Sequence, residues 1–376
     1  MKVLFLATYG DFLATFEYSN ISILKELGCT IHCASNFSNE AYNLKTSRLD
    51  DLGVIRHEIE FARSPFNKKN FSAFKQLFKI IKTEKIDIID CHNAVVGAFS
   101  RVAAAFCGVK KIIYTPHSFF FYKGCPRKNR ILYKIIESIL ARKTDLLITI
   151  NQEDYVAATK MKTRGKSIYV PGIGLDLNYT PNHIFDKEKF CDELGIPKDS
   201  KIFLSVGELN ENKNHITAIE SFKLANVENA VYLICGIGEK KDYLEDKINS
   251  LGLNNRVMLL GYRNDVREIM SISDVFVFPS YREGLSVALM EAMSSGLTCI
   301  VSKIRGNVDL IDNNKGGYLF DPSDKYQLAS AMQKAIDPEM QKRAVLYNTE
   351  KIKKFSTDRV RTIMKKEYKE IKELVR

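Results

Sequence analysis

Short apolar runs recur along the chain, and most are separated by longer segments with helical periodicity. Continuous apolar runs of this length are typical of strands buried on both faces of a sheet, and apolar positions three and four residues apart predict helices between them. The predicted strands are 3–8, 30–34, 86–90, 111–115, 145–150, 167–170, 202–206, 231–235, 257–260, 275–278 and 298–301. Because strands that alternate with helices form parallel sheets, the sequence predicts an α/β, doubly wound fold.

Proline and glycine interrupt this alternation at residues 171–176, Pro-Gly-Ile-Gly-Leu-Asp. Such a segment breaks regular structure, so it predicts the end of a domain. A chain of 376 residues is long for one domain and comfortable for two. We therefore predict one Rossmann-like domain at 1–171 and a second at 185–355.

The formal net charge of +11 is concentrated in the first half of the chain. Up to Phe185 there are 26 Lys and Arg against 16 Asp and Glu, whereas the remainder has 30 against 29. A basic half can meet nucleic acid, an anionic membrane surface or an anionic substrate. The sequence has no zinc-finger spacing, aromatic RNA-binding pattern or basic repeat, so nucleic acid is not predicted as a partner.

The cysteines and the first residues indicate the compartment. The eight cysteines lie mostly in apolar runs without paired Cys-x-x-Cys spacing, which favours buried free thiols over disulfides or zinc. No apolar run is long enough to span a bilayer, and the start of the chain reaches Gly10 and Asp11 too soon for a signal peptide. We expect a cytoplasmic protein.

The segment 273–302 carries the clearest candidate chemistry. A predicted strand, 275–278, leads through a polar loop to Ser286, a residue type that caps helices, and then to the good helix formers of 287–293. Gly296 stands where a helix often ends. Since ligands of parallel sheets lie at the carboxyl ends of the strands, the loop is expected to face a binding site.

A helix that begins at Ser286 leaves the backbone amides of Leu285, Ser286 and Val287 free, and its dipole adds partial positive charge. Both effects favour a phosphate. Glu283 and Glu291 bracket this position, and each carboxylate can accept hydrogen bonds from a sugar diol. Solvated surface glutamates are the alternative, but the apolar neighbours of Glu291 favour a site.

Glu283 and Glu291 are separated by seven residues in the segment EGLSVALMEAMSSG, which resembles the signature of the retaining glycosyltransferases of family 4. This family has the GT-B architecture, two Rossmann-like domains facing across a cleft, with the last helix returning to the first domain. The resemblance implies that Glu283 binds the transferred sugar and Glu291 the ribose of the nucleotide. It also implies that about 360–376 packs on the first domain, which binds the acceptor, while the second binds the donor.

Other family positions can be placed on the second domain. Gly207 ends a predicted strand, and Lys213 lies where the family carries a lysine for the donor diphosphate. The family's usual arginine is replaced by Glu208, so we expect Arg263 or Arg282 to help balance the diphosphate charge. Further binding positions that the resemblance implies are Gly284 in the loop and Tyr262 with Arg263, where the family lays the nucleobase.

Two positions follow strands of the first domain. Gly10 comes directly after the first strand, where a glycine lets the backbone approach a ligand, although a tight turn also explains it. His117 follows 111–115 in the segment YTPHS, which resembles the family's Thr-x-His segment, with Ser118 in place of the usual glycine. The resemblance implies that the His117 imidazole faces donor and acceptor, where it can donate to a phosphate or sugar hydroxyl.

Two segments allow a membrane interpretation. The four aromatic residues 119–122 precede a basic run at 123–134, and this pattern fits ordinary packing and a membrane-facing aromatic lip about equally well. Apolar positions along 71–82 predict a core helix, with a membrane-surface helix as the minor alternative.

Similarity to bacterial capsular and exopolysaccharide glycosyltransferases implies retaining transfer from a UDP-sugar to a polyprenyl diphosphate-linked acceptor at the inner face of the cell membrane. The sugar it implies is N-acetylated or a 6-deoxy amino sugar such as N-acetylfucosamine. The predicted catalytic residues are His117, Glu283 and Lys213. No Asp-x-Asp pair stands at a predicted strand end, so we expect transfer without a metal or other cofactor. A UDP-sugar 2-epimerase of the same fold and a non-catalytic accessory subunit are the alternatives.

Overall fold

The computed structural model describes residues 1–38, 46–179 and 185–375. The chain divides into two compact units, one formed by Met1–Gly174 with Thr357–Arg376 and the other by Leu175–Ser356. Each unit contains one parallel sheet. The prediction of two Rossmann-like α/β domains is confirmed.

The first unit has a seven-stranded sheet, in the order β3-β2-β1-β4-β5-β6-β7, among its described residues. Every strand pairs parallel to its neighbour. The strands are β1 Lys2–Tyr9, β2 Thr30–Asn36, β3 Ile55–Glu58, β4 Ile88–His92, β5 Lys111–Thr115, β6 Leu146–Thr149 and β7 Lys166–Tyr169. The helices are α1 Gly10–Phe12, α2 Tyr18–Glu26, α3 Lys69–Glu84, α4 Ala94–Cys107, α5 Arg127–Ala141 and α6 Gln152–Ala158, with a π-helical segment at Leu13–Glu17 and a 3₁₀ segment at Thr46–Leu52.

Strand β1 is buried on both faces, which explains its continuous apolar sequence. Val3 and Phe5 belong to one buried cluster, whereas Leu4 and Leu6 belong to another. Successive side chains of a strand point to opposite faces, so both faces of this central strand are covered. A continuous apolar run is the expected sequence for such a strand.

The second unit has a six-stranded sheet, in the order β10-β9-β8-β11-β12-β13, within the part of the chain that is described. These strands also pair in parallel. They are β8 Lys201–Val206, β9 Ala230–Cys235, β10 Val257–Gly261, β11 Val275–Phe278, β12 Thr298–Ser302 and β13 Gly317–Phe320. The helices are α7 Lys187–Leu194, α8 His215–Ala225, α9 Lys241–Ser250, α10 Val266–Ile272, α11 Val287–Ser294, α12 Asn307–Leu310, α13 Lys325–Ala335 and α14 Pro338–Lys351, followed by a 3₁₀ segment at Ile352–Phe355.

The last helix, α15 Thr357–Glu373, packs on the first unit, as predicted. Its buried residues Val360, Met364, Tyr368 and Ile371 are three or four positions apart, so they form one helix face. That face joins the same apolar cluster as β1. The Tyr368 hydroxyl also donates a hydrogen bond of 2.7 Å to Asp90, in the middle of β4.

The aromatic segment 119–122 does not form the membrane-facing lip that its sequence allowed. The rings of Phe119 and Phe121 stack with centroids 4.7 Å apart, and both side chains are buried in the apolar cluster of the first unit. Phe120 packs against Tyr133 of α5. Burying these rings removes a large apolar area from water, so ordinary packing is the correct interpretation.

Candidate active site

The loop between β11 and α11 has the geometry that its sequence predicts. Ser286 has extended backbone angles, and its hydroxyl accepts a hydrogen bond of 3.3 Å from the Leu289 amide. This bond caps α11 and fixes the point at which the helix begins. The amide end of α11 therefore lies at the carboxyl end of β11, where an anion is favoured.

A second segment holds this loop in place. A Cβ atom on Gly306 would lie 2.1 Å from the carbonyl oxygen of Gly284, so only glycine allows the two backbones to approach this closely. The buried Arg305 side chain donates a hydrogen bond of 3.2 Å to the Glu283 carbonyl. Glu283, Gly284 and the start of α11 are consequently supported from the next βα loop.

Glu283 forms an ion pair with Lys213, with Oε1 and Nζ 2.8 Å apart. Lys213 lies in the loop between β8 and α8, and its ammonium is 4.8 Å from the centre of the Phe278 ring. A Cβ atom on Gly207 would come within 3.2 Å of the Lys213 side chain, so this glycine leaves room for the lysine. Three predicted residues, Gly207, Lys213 and Glu283, are thus brought together.

Glu291 forms a separate ion pair. Its Oε1 lies 3.1 Å from Nε of Arg267 on α10, a residue that sequence reasoning missed. Burial raises the pKa of the Glu291 carboxyl, and the Arg267 charge opposes that effect. The Arg267 guanidinium also stacks 4.3 Å from the ring of Tyr179. The only sequence signal for Arg267 was its basic side chain in the helix that precedes the segment with Glu283 and Glu291.

Other predicted residues are less closely involved. Arg263 donates hydrogen bonds of 2.8 and 2.5 Å to the two carboxylate oxygens of Asp265, and this pairing raises the pKa of Arg263. Arg263 is therefore committed to a local partner, and its role in charge compensation stays a prediction. Tyr262 and Glu208 are both exposed.

His117 lies in a different environment, in the first unit. Its backbone adopts the left-handed region, with φ of +57°, which is uncommon for a side chain larger than glycine. Its Nε2 lies 3.2 Å from Nδ1 of His92 and 3.4 Å from Oε1 of Glu17. His92 Nδ1 is also 3.4 Å from the same Glu17 oxygen. Phe12 meets the His117 ring edge-on at 4.9 Å.

Glu17, His92 and His117, which we call the Glu17 cluster, include two residues that the sequence analysis did not select. Glu17 ends the π-helical segment and His92 ends β4, and both are almost fully buried. Asn20 donates a hydrogen bond of 2.7 Å to the other Glu17 oxygen. A histidine just past the end of a predicted strand was a usable signal, because His117 was selected on that basis. Glu17 lay in a helical pattern that gave no such signal.

The cluster has unusual electrostatics. Burial lowers the pKa of His92 to about 4, despite the opposing charge of Glu17. For Glu17 itself, burial raises the pKa, but the His92 charge and the His117 hydrogen bond outweigh it, so the pKa is lowered overall. Burial and the Glu17 charge raise the pKa of the neighbouring Asp90 to about 8. Glu17 is therefore the negative group of this buried network at neutral pH.

The same three side chains could hold a metal ion, since one ligand atom from each lies within 4.8 Å of the others. Two imidazoles and one carboxylate suit transition metals such as zinc or iron. The hydrogen bond between the two imidazoles also accounts for their closeness. The sequence expectation that no metal is needed stays a prediction.

Gly10 is explained by packing. The residue is buried, and a Cβ atom there would lie 2.2 Å from the ring of Phe37. Any larger residue would displace this ring. The close approach that the sequence predicted at Gly10 is therefore made by a side chain of the same unit, and a role in ligand binding stays a prediction.

Both halves of the chain match known protein families. Residues 186–352 match the family model for glycosyl transferases group 1, and residues 2–151 match that for glycosyl transferase 4-like proteins. The putative glycosyltransferase EpsD of Bacillus subtilis (strain 168) is 30% identical over 338 residues, which cover 88% of this chain and 86% of the relative. The UDP-Gal:alpha-D-GlcNAc-diphosphoundecaprenol alpha-1,3-galactosyltransferase of Escherichia coli is 32% identical over 287 residues, 72% of each chain.

Solved structures share the fold. The Anabaena Alr3699/HepE protein in complex with UDP and glucose superimposes with a TM-score of 0.78 at 19% identity, covering 98% of this chain and 100% of that one. Sucrose-phosphate synthase from Thermosynechococcus elongatus superimposes with a TM-score of 0.75 at 17% identity, covering 99% of each chain. These similarities extend over both units.

Proposed function

The chain belongs to the group 1 glycosyl transferases, and on this premise we propose that it moves a sugar from a UDP-sugar to a polyprenyl diphosphate-linked acceptor in capsular or extracellular polysaccharide synthesis. The donor binds the second unit and the acceptor the first. The observation that carries the proposal is the Lys213–Glu283 ion pair beside the amide end of α11. This pair supports the proposal because a diphosphate needs a cation and helix amides, and its sugar needs a carboxylate that accepts hydrogen bonds.

In this proposal the diphosphate lies against the amides of Leu285, Ser286 and Val287. Lys213 turns from Glu283 to a phosphate oxygen when the donor binds, and the Glu283 carboxylate then accepts hydrogen bonds from the sugar hydroxyls. Glu291 accepts hydrogen bonds from the ribose. Charge grows on the departing diphosphate during the reaction, so the amides and Lys213 stabilise the transition state more than the bound donor.

We propose a retaining reaction that needs no metal. The acceptor hydroxyl oxygen attacks the anomeric carbon on the face from which the diphosphate leaves. A carbon–oxygen bond forms, the bond to the diphosphate oxygen breaks, and the hydroxyl proton passes to that oxygen. His117 donates a hydrogen bond to a phosphate or sugar hydroxyl during this step. A paired-carboxylate glycosidase mechanism is disfavoured because Glu283 and Glu291 flank the proposed phosphate site at the amide end of α11.

The nature of the acceptor and sugar is the finer part of the proposal. The E. coli galactosyltransferase acts on a diphosphoundecaprenol-linked sugar, according to its name, which supports a lipid diphosphate acceptor here. The sequence expectation of an N-acetylated or 6-deoxy amino sugar, such as N-acetylfucosamine, stays a prediction. Galactose is the second sugar to test, because that relative uses UDP-galactose.

A transfer assay tests this function. The purified protein is incubated with each UDP-sugar and a polyprenyl diphosphate-linked N-acetylglucosamine, with EDTA in one series and Mg²⁺ in the other. We expect a lipid-linked disaccharide with retained anomeric configuration at equal rates in both series. Conversion of the UDP-sugar without an acceptor indicates the epimerase alternative, and failure to bind any UDP-sugar indicates the accessory alternative. Either result contradicts the proposal, as does a requirement for Mg²⁺.

A further inference from the structure

Helix α5 presents apolar residues to water on the side that faces away from the protein. Five such residues, which we call the α5 face, are each exposed over more than a third of their surface: Ile131 53%, Leu132 48%, Ile135 53%, Ile136 38% and Ile139 55%. Ile131, Ile135 and Ile139 are four positions apart, so they form one row along the helix. A surface helix of a globular protein normally places its apolar row inward, and here an apolar row lies outward.

A buried ion pair explains why the helix has this orientation. Glu137 is the only acidic residue of α5, and its carboxylate points inward to Arg101 of α4 at 2.9 Å and to the Tyr114 hydroxyl at 3.1 Å. Arg101 is fully buried, and its Nε also donates to the Gly97 carbonyl at 2.9 Å. Turning α5 to bury its isoleucines would leave the Arg101 charge unpaired, which is strongly unfavourable. The outward apolar row is therefore fixed by the fold.

The apolar surface continues beside α5. An open groove of about 480 Å³ lies between α3, α4 and α5, and every residue that lines it is apolar. Phe71 and Phe74 of α3 and Phe99 and Val102 of α4 line one part, and Ile136 and Ile139 of α5 line the other. Contiguous apolar surface of this extent on a folded protein usually marks an interaction site.

Helices α3 and α5, which border this apolar surface, carry many exposed cations. The exposed basic residues of the three helices and the residues after α5 are Lys69, Lys75, Lys79, Lys82, Arg127, Lys128, Arg130, Lys134, Arg142 and Lys143. The acidic residues of the same helices are Glu137, which is buried, and Glu84, whose carboxylate lies 3.7 Å from Lys2 at the far end of α3. Lys69 pairs with Glu60, which lies outside these helices, at 2.6 Å. An apolar centre with a predominantly basic rim is complementary to a bilayer with anionic headgroups.

We propose that the α5 face and the adjoining groove dock on an anionic phospholipid membrane, with the isoleucine row at the acyl boundary and the cations at the lipid phosphates. This inference deepens the proposed function and rests on it, because a polyprenyl diphosphate-linked acceptor lies in a bilayer. Among the described residues no helix is long and apolar enough to cross a membrane. A second copy of the chain is a poor occupant, since its identical cations would oppose these.

The chain contains no tryptophan, which allows a direct test. The Ile135→Trp variant of the full chain carries a single indole on the α5 face. We expect its emission to shift to shorter wavelength with vesicles of phosphatidylglycerol and phosphatidylcholine, and to be quenched by brominated acyl chains. Vesicles of phosphatidylcholine alone should produce neither change. The matched control is Leu346→Trp, on α14 of the other unit, where Leu346 is 74% exposed among residues of both charge signs.

Sedimentation with the same vesicles measures how strongly the protein binds the membrane. Replacing Ile135 and Ile139 together with Asp should lower binding by more than about tenfold, because each isoleucine side chain loses the free energy of leaving water. Circular dichroism of the variant should match the parent, as both positions are exposed. Equal binding to neutral and anionic vesicles overturns the proposal. So does an unshifted Ile135→Trp emission, an equal shift in Leu346→Trp, or a shift that rises with protein concentration without lipid.

These vesicles contain neither acceptor nor donor, so the experiment tests membrane docking independently of the proposed sugar transfer. If the Asp variant keeps the parent's UDP affinity but loses vesicle binding, the docking surface is supported independently of transfer. If vesicles do not bind while UDP does, the docking surface is wrong and the glycosyltransferase proposal stands. If UDP does not bind while anionic vesicles do, the glycosyltransferase proposal fails and the measured docking remains.

Discussion

The two units differ in how their buried and partly buried charged side chains are partnered. In the second unit the two glutamates of the 283–291 motif each have a separate cation: Glu283 pairs with Lys213 and Glu291 with Arg267. These pairs are partly accessible to solvent, so a ligand can exchange with them. The charge that each carboxylate carries is balanced before any substrate arrives.

In the Glu17 cluster of the first unit, the carboxylate is shared by two side chains. One carboxylate serves two imidazoles at 3.4 Å, and the imidazoles contact one another at 3.2 Å. Two of the three groups are buried, so removal of one changes the protonation of the others. A substitution at Glu283 or Glu291 is therefore expected to affect one ion pair, whereas a substitution in the Glu17 cluster is expected to affect all three of its side chains.

The largest effect is expected for Lys213→Ala. Turnover should fall by about a thousandfold, because Lys213 neutralises the departing diphosphate. Lys213→Arg keeps the charge and should retain much more activity. The free energy of unfolding should change little, since the ion pair with Glu283 is partly exposed. Steady-state kinetics and urea unfolding check both parts. Unchanged turnover and UDP affinity in Lys213→Ala would remove this residue from the site.

Glu17→Gln tests the network in the first unit. The substitution keeps the side-chain size but removes the charge that the two imidazoles share, so we expect turnover to fall by about a hundredfold. The affinity for UDP should stay unchanged, because the donor is assigned to the second unit. Calorimetry for UDP and kinetics for transfer separate the two effects. A parallel loss of UDP affinity would show that the two sites are not independent.

His215 is expected to make the free energy of unfolding fall as the pH is lowered. Burial, followed by the Lys213 charge, lowers the pKa of His215 to about 4, so the folded state favours the neutral imidazole. Its contribution to stability is present above the unfolded pKa of about 6.5 and is lost as pH falls towards 4. His215→Gln should therefore lose less stability over this range, by on the order of 2 kcal/mol. Urea unfolding between pH 4.5 and 7.5 measures it; identical slopes contradict the assignment.

The smallest effect is expected for Glu208→Arg, which restores the residue type that the family usually carries. An exposed cation near the diphosphate should tighten UDP binding by about threefold at low salt, and less at high salt. Glu211→Arg is the matched control, because Glu211 is an exposed carboxylate in the same loop whose partner is Lys240. Equal gains in both variants indicate general attraction instead of a specific contact.

The sequence allowed the geometry of the β11–α11 loop to be predicted because its parts are local. Glu283, Ser286 and Glu291 lie within one strand–loop–helix unit, and the cap at Ser286 determines where the amides point. Lys213 followed from the family resemblance together with its place in a loop after a strand. Arg267 was missed because its contact depends on how α10 packs against α11, which no local pattern reports.

The rest could not be predicted because it depends on distant contacts. Glu17 and His117 are 100 positions apart, and only the folded sheet brings them together. The edge strands β3 and β13 were also missed, because β3 contains three polar residues, Arg-His-Glu, and β13 begins with a glycine. The outward orientation of α5 required the Arg101–Glu137 pair to be seen, because its apolar spacing alone predicts a buried face.

Calorimetric titration with UDP, GDP and ADP, with EDTA and then with Mg²⁺, tests the central claim most directly. The account predicts that UDP binds selectively and equally well under both conditions, and that Glu291→Ala weakens this binding by at least about tenfold while leaving the fold intact. The absence of UDP binding, or an affinity that Glu291→Ala leaves unchanged, would contradict the assignment of the donor site to α11.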